Sequence, residues 1–250
     1  MSGPAPGRAA PGAPLAALLE RPDIRRGGAL AQVASASVPT GFPALDAELP
    51  GGGWPTGCLT ECLPAHEGIG ELRILGPALA ALSRAGKRLA WIAPPHLPYA
   101  PALDAAGIAL PQLLIVKTAA ARDALWAAEQ ALASCACGAV LVWPGAVKYA
   151  ELRRLQLAAE KTPVLAILFR SPRASGEASP AALRLGLDTA AGGLAVRILK
   201  RRGAVCARPV IVALDPPCPS VISSIVPRAV DRAVPAEPSA RSAHPQPCDA

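Results

Sequence analysis

The chain has 250 residues, 52% of them hydrophobic and 3% aromatic, with a formal charge of +7. That much apolar material suits one substantial core. No run of about 18 apolar residues reads as a transmembrane helix, and the Pro/Gly-rich start lacks a signal-peptide core, so a cytoplasmic protein without a membrane partner is expected.

The positive charge admits nucleic acid or an acidic protein as partner, whereas so few aromatics exclude an extended stacking platform for single strands. Cys58, Cys62, Cys135, Cys137, Cys206, Cys218 and Cys248 form no C-x-x-C pair, and His66, His96 and His244 are far apart. Neither a structural zinc nor a disulfide framework is expected from that spacing.

Residues 1–37 read as a flexible arm. The first 14 are almost all Pro, Gly and Ala, and Leu15–Arg21 offers one or two helical turns before Pro22 stops them. Arg21, Arg25 and Arg26 form a solvated basic cluster. Val38–Leu49 suggests a turn followed by a short helix. Gly51-Gly52-Gly53 then suggests a connection whose backbone approaches another segment closely.

Leu59–Leu63 is an apolar strand leading into Pro64-Ala65-His66-Glu67-Gly68-Ile69-Gly70-Glu71-Leu72. Strand, glycine-containing loop and helix start are the setting of a phosphate-binding loop, whose pattern is G-x-x-x-x-G-K-[ST]. The matching frame is Ala65, Gly70, Glu71 and Leu72, so glutamate stands at the lysine position and leucine at the hydroxyl position. At about 4 Å and an effective dielectric near 20, a carboxylate facing a phosphate costs on the order of 4 kcal/mol where lysine would gain as much. Leucine offers magnesium nothing. The shape of a nucleotide site is expected without its chemistry: no catalytic residue, no cofactor and no metal.

Glu71–Ala85 then reads as a helix with Leu72, Leu75, Leu79 and Leu82 on one face, kinked or broken in its first turn by Pro77. Strands are expected at Arg88–Ala93, Leu113–Lys117, Ala139–Trp143 and Pro163–Phe169, alternating with helices at Ala100–Ala106, Ala120–Ala136 and Tyr149–Lys161. This alternation specifies an α/β fold with a mostly parallel twisted sheet covered on both faces. Ser171–Ser179 is a polar loop and Ala181–Leu187 a short helix. Leu194–Lys200 and Val205–Leu214 form an antiparallel hairpin joined at Arg201-Arg202-Gly203. Recurrent proline without hydrophobic periodicity marks 215–250 as a disordered tail, leaving 38–214 as the core domain.

The order of these pieces resembles the RecA core of the P-loop NTPases, whose T-G-x-x-x-L-D and G-G-G motifs correspond to Thr40-Gly41…Leu45-Asp46 and Gly51-Gly52-Gly53. Within that superfamily the phrase from Pro39 to Pro55 and the loop Gly68-Ile69-Gly70-Glu71-Leu72 are most similar to the ImuA family of SOS-induced translesion-synthesis proteins. The resemblance implies a non-enzymatic adaptor that docks with an ImuB-type inactive Y-family polymerase relative and an error-prone DnaE-type polymerase, with self-association and a DNA contact as further implications. The positions where RecA keeps its acidic residues fall at Ala93-Pro94-Pro95-His96 and near Trp143-Pro144, where proline cannot serve as a base.

No nucleophile, partner acid or metal ligand is expected beside His96, and His66 and Glu67 are expected to cap or solvate the turn. Arg197, Lys200, Arg201, Arg202 and Arg208, with Arg170 and Arg173 near the preceding loop, are the DNA-binding candidates. The alternative is a charged turn that keeps an edge strand soluble. Two other functions stay open: an atypical RecA-like DNA-dependent ATPase, drawing a cation such as Arg73 or Lys87 into its site, and a SulA-like cell-division inhibitor.

Overall fold

The computed structural model describes residues 36–203 and 208–214. The arm before residue 36, the hairpin segment 204–207 and the tail from 215 lie outside the described residues, so the expectations for them are not addressed by the fold.

A two-residue pairing of β1 (Ser37–Val38) with β2 (Trp54–Pro55) brackets α1 (Pro43–Asp46). It brings Gly53 so close to Val38 that an added Cβ would sit 2.4 Å from the Val38 carbonyl oxygen. The glycine run therefore serves close backbone approach, as its composition suggested.

The main sheet has eight strands in the order β10-β9-β8-β3-β7-β6-β4-β5. These are β3 (Cys58–Pro64), β4 (Arg88–Ile92), β5 (Leu113–Val116), β6 (Cys137–Val142), β7 (Leu165–Phe169), β8 (Leu183–Ala190), β9 (Gly193–Lys200) and β10 (Val210–Ala213). Strands β3 to β8 run parallel, and β9 and β10 continue the sheet antiparallel beyond β8.

From β3 the chain moves outward through α2 (Gly76–Arg84) to β4 and through α3 (Ala100–Ala105) to β5. It returns through α4 (Ala121–Ala133) to β6 and α5 (Tyr149–Ala159) to β7. Going out on one face and back on the other gives every crossover the same hand. Leu45 of α1 and Leu75, Ala78 and Leu79 around α2 pack with Trp91, Leu141 and Ile167 on the first face. Leu125 and Leu132 of α4 and Leu152 and Leu155 of α5 pack with Ile92, Val140 and Leu168 on the second. Strands covered on both faces need apolar residues at consecutive positions, which is why β6 and β7 read as unbroken runs.

Two expected elements differ. The helix after the loop begins at Gly76 rather than Glu71: residues 71–75 are turns, with Ile74 N–H donating to the Gly70 carbonyl (3.1 Å) and Gly76 N–H to that of Arg73 (3.1 Å). Pro77 falls in the first turn, where its missing N–H leaves no intrahelical bond unmade. The helix expected at Ala181–Leu187 is instead strand β8, with Leu183, Leu185 and Leu187 buried on one face. Sheet pairing to β3 and β9 overrides any local helical preference there.

The crossover from β7 to β8 passes over β3 without an α-helix. A 3-10 turn at Pro172–Gly176 takes its place, tied down by buried charge. Glu61, fully buried in β3, accepts from Arg184 Nε (2.8 Å) and Ser179 Oγ (2.5 Å). The same Arg184 donates to the carbonyls of Ala174 (2.6 Å), Ser175 (3.3 Å) and Glu177 (3.1 Å). Arg170 Nη1 approaches Glu61 at 3.6 Å while its Nη2 donates to Glu177 at 2.6 Å.

Removing one member of a buried pair leaves the other uncompensated. Arg184→Ala should therefore lower unfolding stability by about 3–5 kcal/mol, whereas the joint change Glu61→Leu with Arg184→Leu should cost less than that single change. Guanidinium unfolding of the three proteins checks the order.

Candidate functional site

Strands β3, β4, β6 and β7 end together at a cleft of about 810 Å³, the place where open parallel sheets present ligands. Pro64, Ala65, His66, Glu67 and Glu71 form one wall, and Arg170, Ser171, Arg173 and Glu177 another. Trp143 and Phe169 line it between them, their rings stacked at 4.6 Å and 7°. Trp91 lies behind at 6.0 Å from Trp143.

The wall that resembles a phosphate loop is occupied by its own side chain. Glu71 Oε1 accepts from the Gly68 N–H (3.0 Å) and Oε2 from the Gly70 N–H (3.1 Å). Backbone amides converging in this way make an anion site, and here the anion is the Glu71 carboxylate. Glu71 was expected only to repel phosphate; in the fold it also takes the donors a phosphate would need. Gly70 holds φ at 108°, and a Cβ there would come within 2.7 Å of Leu214 Cδ1. Leu72 is half-buried against the first core layer.

The residues present do not fit a nucleotide with magnesium. Glu71 replaces the lysine, Leu72 the hydroxyl, and β6 delivers Trp143 onto Phe169 where a carboxylate would be required. Among the described residues no group of three or more His, Cys, Asp or Glu side chains could hold a metal ion. His96 does have an acid beside it, contrary to expectation: its Nε2 lies 3.3 Å from Glu67 Oε2, both side chains largely exposed. Glu67 thus bridges the loop after β3 to the loop after β4.

The basic candidates divide between two ends of the sheet. Arg170 is buried and engaged by Glu61 and Glu177, so it is closed to DNA, and exposed Arg173 lies at the cleft. Lys200, Arg201, Arg202 and Arg208 sit at the opposite end, around the β9–β10 turn. Lys200 Nζ donates to the Ser179 carbonyl (2.7 Å), and Arg201 Nη1 donates to the Glu48 carbonyl and lies 3.2 Å from its carboxylate. Arg197 is exposed in mid-strand, on the opposite sheet face from buried Val196 and Ile198. The alternative cations differ as well: exposed Arg73 is in the loop after β3, whereas Lys87 is at the far end of α2.

The network of Glu61, Arg170, Glu177 and Arg184 escaped the reading of the sequence. Its signals were a glutamate inside the apolar run Cys58–Leu63 and an arginine set between leucines at 183 and 185. The Thr40…Asp46 motif also proves structural. Asp46 Oδ1 accepts from the Thr40 N–H (2.9 Å), closing the turn, and a Cβ on Gly41 would meet Pro77 Cβ at 2.6 Å.

No protein-family model matches the chain, and no curated protein matches it either.

Burial, reinforced by the nearby charges of Glu61 and Glu71, pushes the Cys62 thiol up from 9.0 to about 12. The folded state therefore holds that proton at pH values where the unfolded chain releases it. The associated stability is complete below pH 9.0, the ordinary thiol value, and is lost as pH rises toward about 12. Unfolding midpoints measured from pH 8 upward should fall more steeply for the native chain than for Cys62→Ala. Thiol labelling at about pH 8, near the ordinary range for cysteine, should modify exposed Cys135 while leaving Cys62 intact until the chain unfolds.

Proposed function

We propose that this chain is a RecA-like protein of the ImuA kind, a non-enzymatic docking module of SOS-induced translesion synthesis in the cytoplasm. The observation that supports it most is the Glu71 carboxylate seated on the N–H groups of Gly68 and Gly70. A loop of this shape that supplies its own anion gains nothing from a nucleotide, and the stacked Trp143 and Phe169 provide no general base beside it. What such a body contributes is surface.

In this reading the partners are an ImuB-type inactive polymerase relative and an error-prone DnaE-type polymerase. At the cleft end the loop after β4 exposes Leu97 (69%) and Tyr99 (49%). Exposed apolar side chains of this size suit a protein contact better than a phosphate contact. The hairpin cations supply the DNA contact.

Co-purification with an ImuB-type partner, with and without Mg-ATP, tests this reading. The expected result is one complex, equal in both conditions, and no calorimetric ATP binding at ligand concentrations up to about 1 mM. A complex formed only with nucleotide, or measurable hydrolysis, would favour the atypical ATPase. Replacing Arg197, Lys200, Arg201 and Arg202 by alanine should weaken DNA association and flatten its dependence on salt. Unchanged affinity and slope in a fluorescence anisotropy titration would remove DNA from the proposal.

A further inference from the structure

Charge is unevenly balanced between the two ends of the sheet. The strand polarity brings the starts of β4 and β10, the end of β9 and the connection from α5 to β7 to one end of the sheet, opposite the cleft. Lys87, Arg88, Lys161, Lys200, Arg202 and Arg208 are all exposed there. The acids at that end are Glu160, Asp104 and Glu48, and the last already engages Arg201. At the cleft end, by contrast, exposed Arg73, Lys117, Arg122, Lys148 and Arg173 are offset by Glu67, Glu71, Asp123, Glu151, Glu177 and Asp188, and buried Arg170 is engaged by Glu61 and Glu177.

These cations follow the sheet rather than the hairpin. β10 and β4 are the first and seventh strands of the order, so six spacings of about 4.8 Å set the row at about 30 Å. That is the axial length of about nine base pairs of duplex. Leu97, Tyr99 and Tyr149 are exposed on the cleft side, whereas Leu114, Leu157 and Ile211 are exposed on three separate elements toward the basic end, so among the described residues that end has scattered aliphatic side chains and no exposed aromatic centre for a protein interface. It also lacks a stacking ring for unpaired bases.

We infer that the whole end of the sheet opposite the cleft, from Arg208 and Arg202 across Lys161 to Lys87 and Arg88, is a sequence-independent docking surface for the phosphate backbone of duplex nucleic acid. The inference extends the hairpin contact proposed above but rests on charge placement alone. Lys87, Arg88 and Lys161, brought in by other elements, carry as much of the contact as the hairpin does. Lys117 and Arg173, at the cleft end, stand outside it.

Anisotropy titrations of the full chain against a labelled random-sequence duplex of about 20 base pairs, over about 50–200 mM salt, test it. Native protein should bind with an affinity that falls steeply as salt rises. The variant Lys87→Ala with Arg88→Ala and Lys161→Ala should bind at least about tenfold more weakly, with a log–log salt slope reduced by about two to three. Lys117→Ala with Arg173→Ala removes two exposed cations at the cleft end and should change neither quantity. Melting curves and single replacements confirm that the variants fold.

A triple variant that binds like the native chain would overturn the row and leave a hairpin-only contact. Binding to an acidic peptide without binding to duplex would overturn the nucleic-acid assignment. Either result, together with a nucleotide-independent partner complex, would leave the docking role standing.

Discussion

A carboxylate buried at mid-sheet holds the irregular part of this fold in place. Every other parallel crossover uses a helix to cover the sheet, but between β7 and β8 the chain has only a 3-10 turn and extended segments. Such a segment exposes carbonyls that require partners once buried. Arg184 supplies donors to three of them, and Glu61 fixes Arg184 from the neighbouring strand. Because Arg170 and Glu177 belong to the same network, the crossover that covers β3 also forms one wall of the cleft. Fold and candidate site therefore meet in one set of charges.

Across the cleft, the loop after β3 answers the same physical demand differently. Its inward-turned amides need an acceptor, and Glu71 provides one from within the loop. In a phosphate site these donors remain available until a ligand arrives, and a lysine offsets the added charge. Here the donors and the anion belong to one short segment, and the arrangement is complete without a ligand. The stacked pair of Trp143 and Phe169 makes the adjoining surface apolar. The cleft thus has the position of a ligand site in an open parallel sheet while lacking the charge pattern of a phosphoryl-transfer centre.

The parallel part of the sheet was legible because its strands are apolar runs bounded by Pro and Gly, such as Arg88–Ala93 before Pro94 and Pro163–Phe169 after Thr162. Strand β8 was not: its leucines alternate strictly at 183, 185 and 187, but the run is short and follows a proline-containing loop. Glu61 and Arg184 are 123 positions apart, so no local pattern could pair them. The role of Glu71 was half legible. Its sign against phosphate follows from the motif frame, but the choice of Gly68 and Gly70 as partners depends on the dihedrals of the folded loop. The separation of the basic residues into two ends was invisible for a further reason: Arg170 and Arg202 look equivalent along the chain until strand direction assigns each an end.

Gly70 carries a wider implication. In a loop that matches the phosphate-binding frame at its second glycine but not at the lysine or hydroxyl position, that glycine invites interpretation through phosphate. Its backbone gives another reason, since φ is 108°, a conformation that other residues rarely adopt, and Leu214 just after β10 packs against it. The path of the loop itself favours glycine here, whatever the loop binds. A glycine at a motif position can therefore answer to backbone geometry alone, with no ligand to account for it.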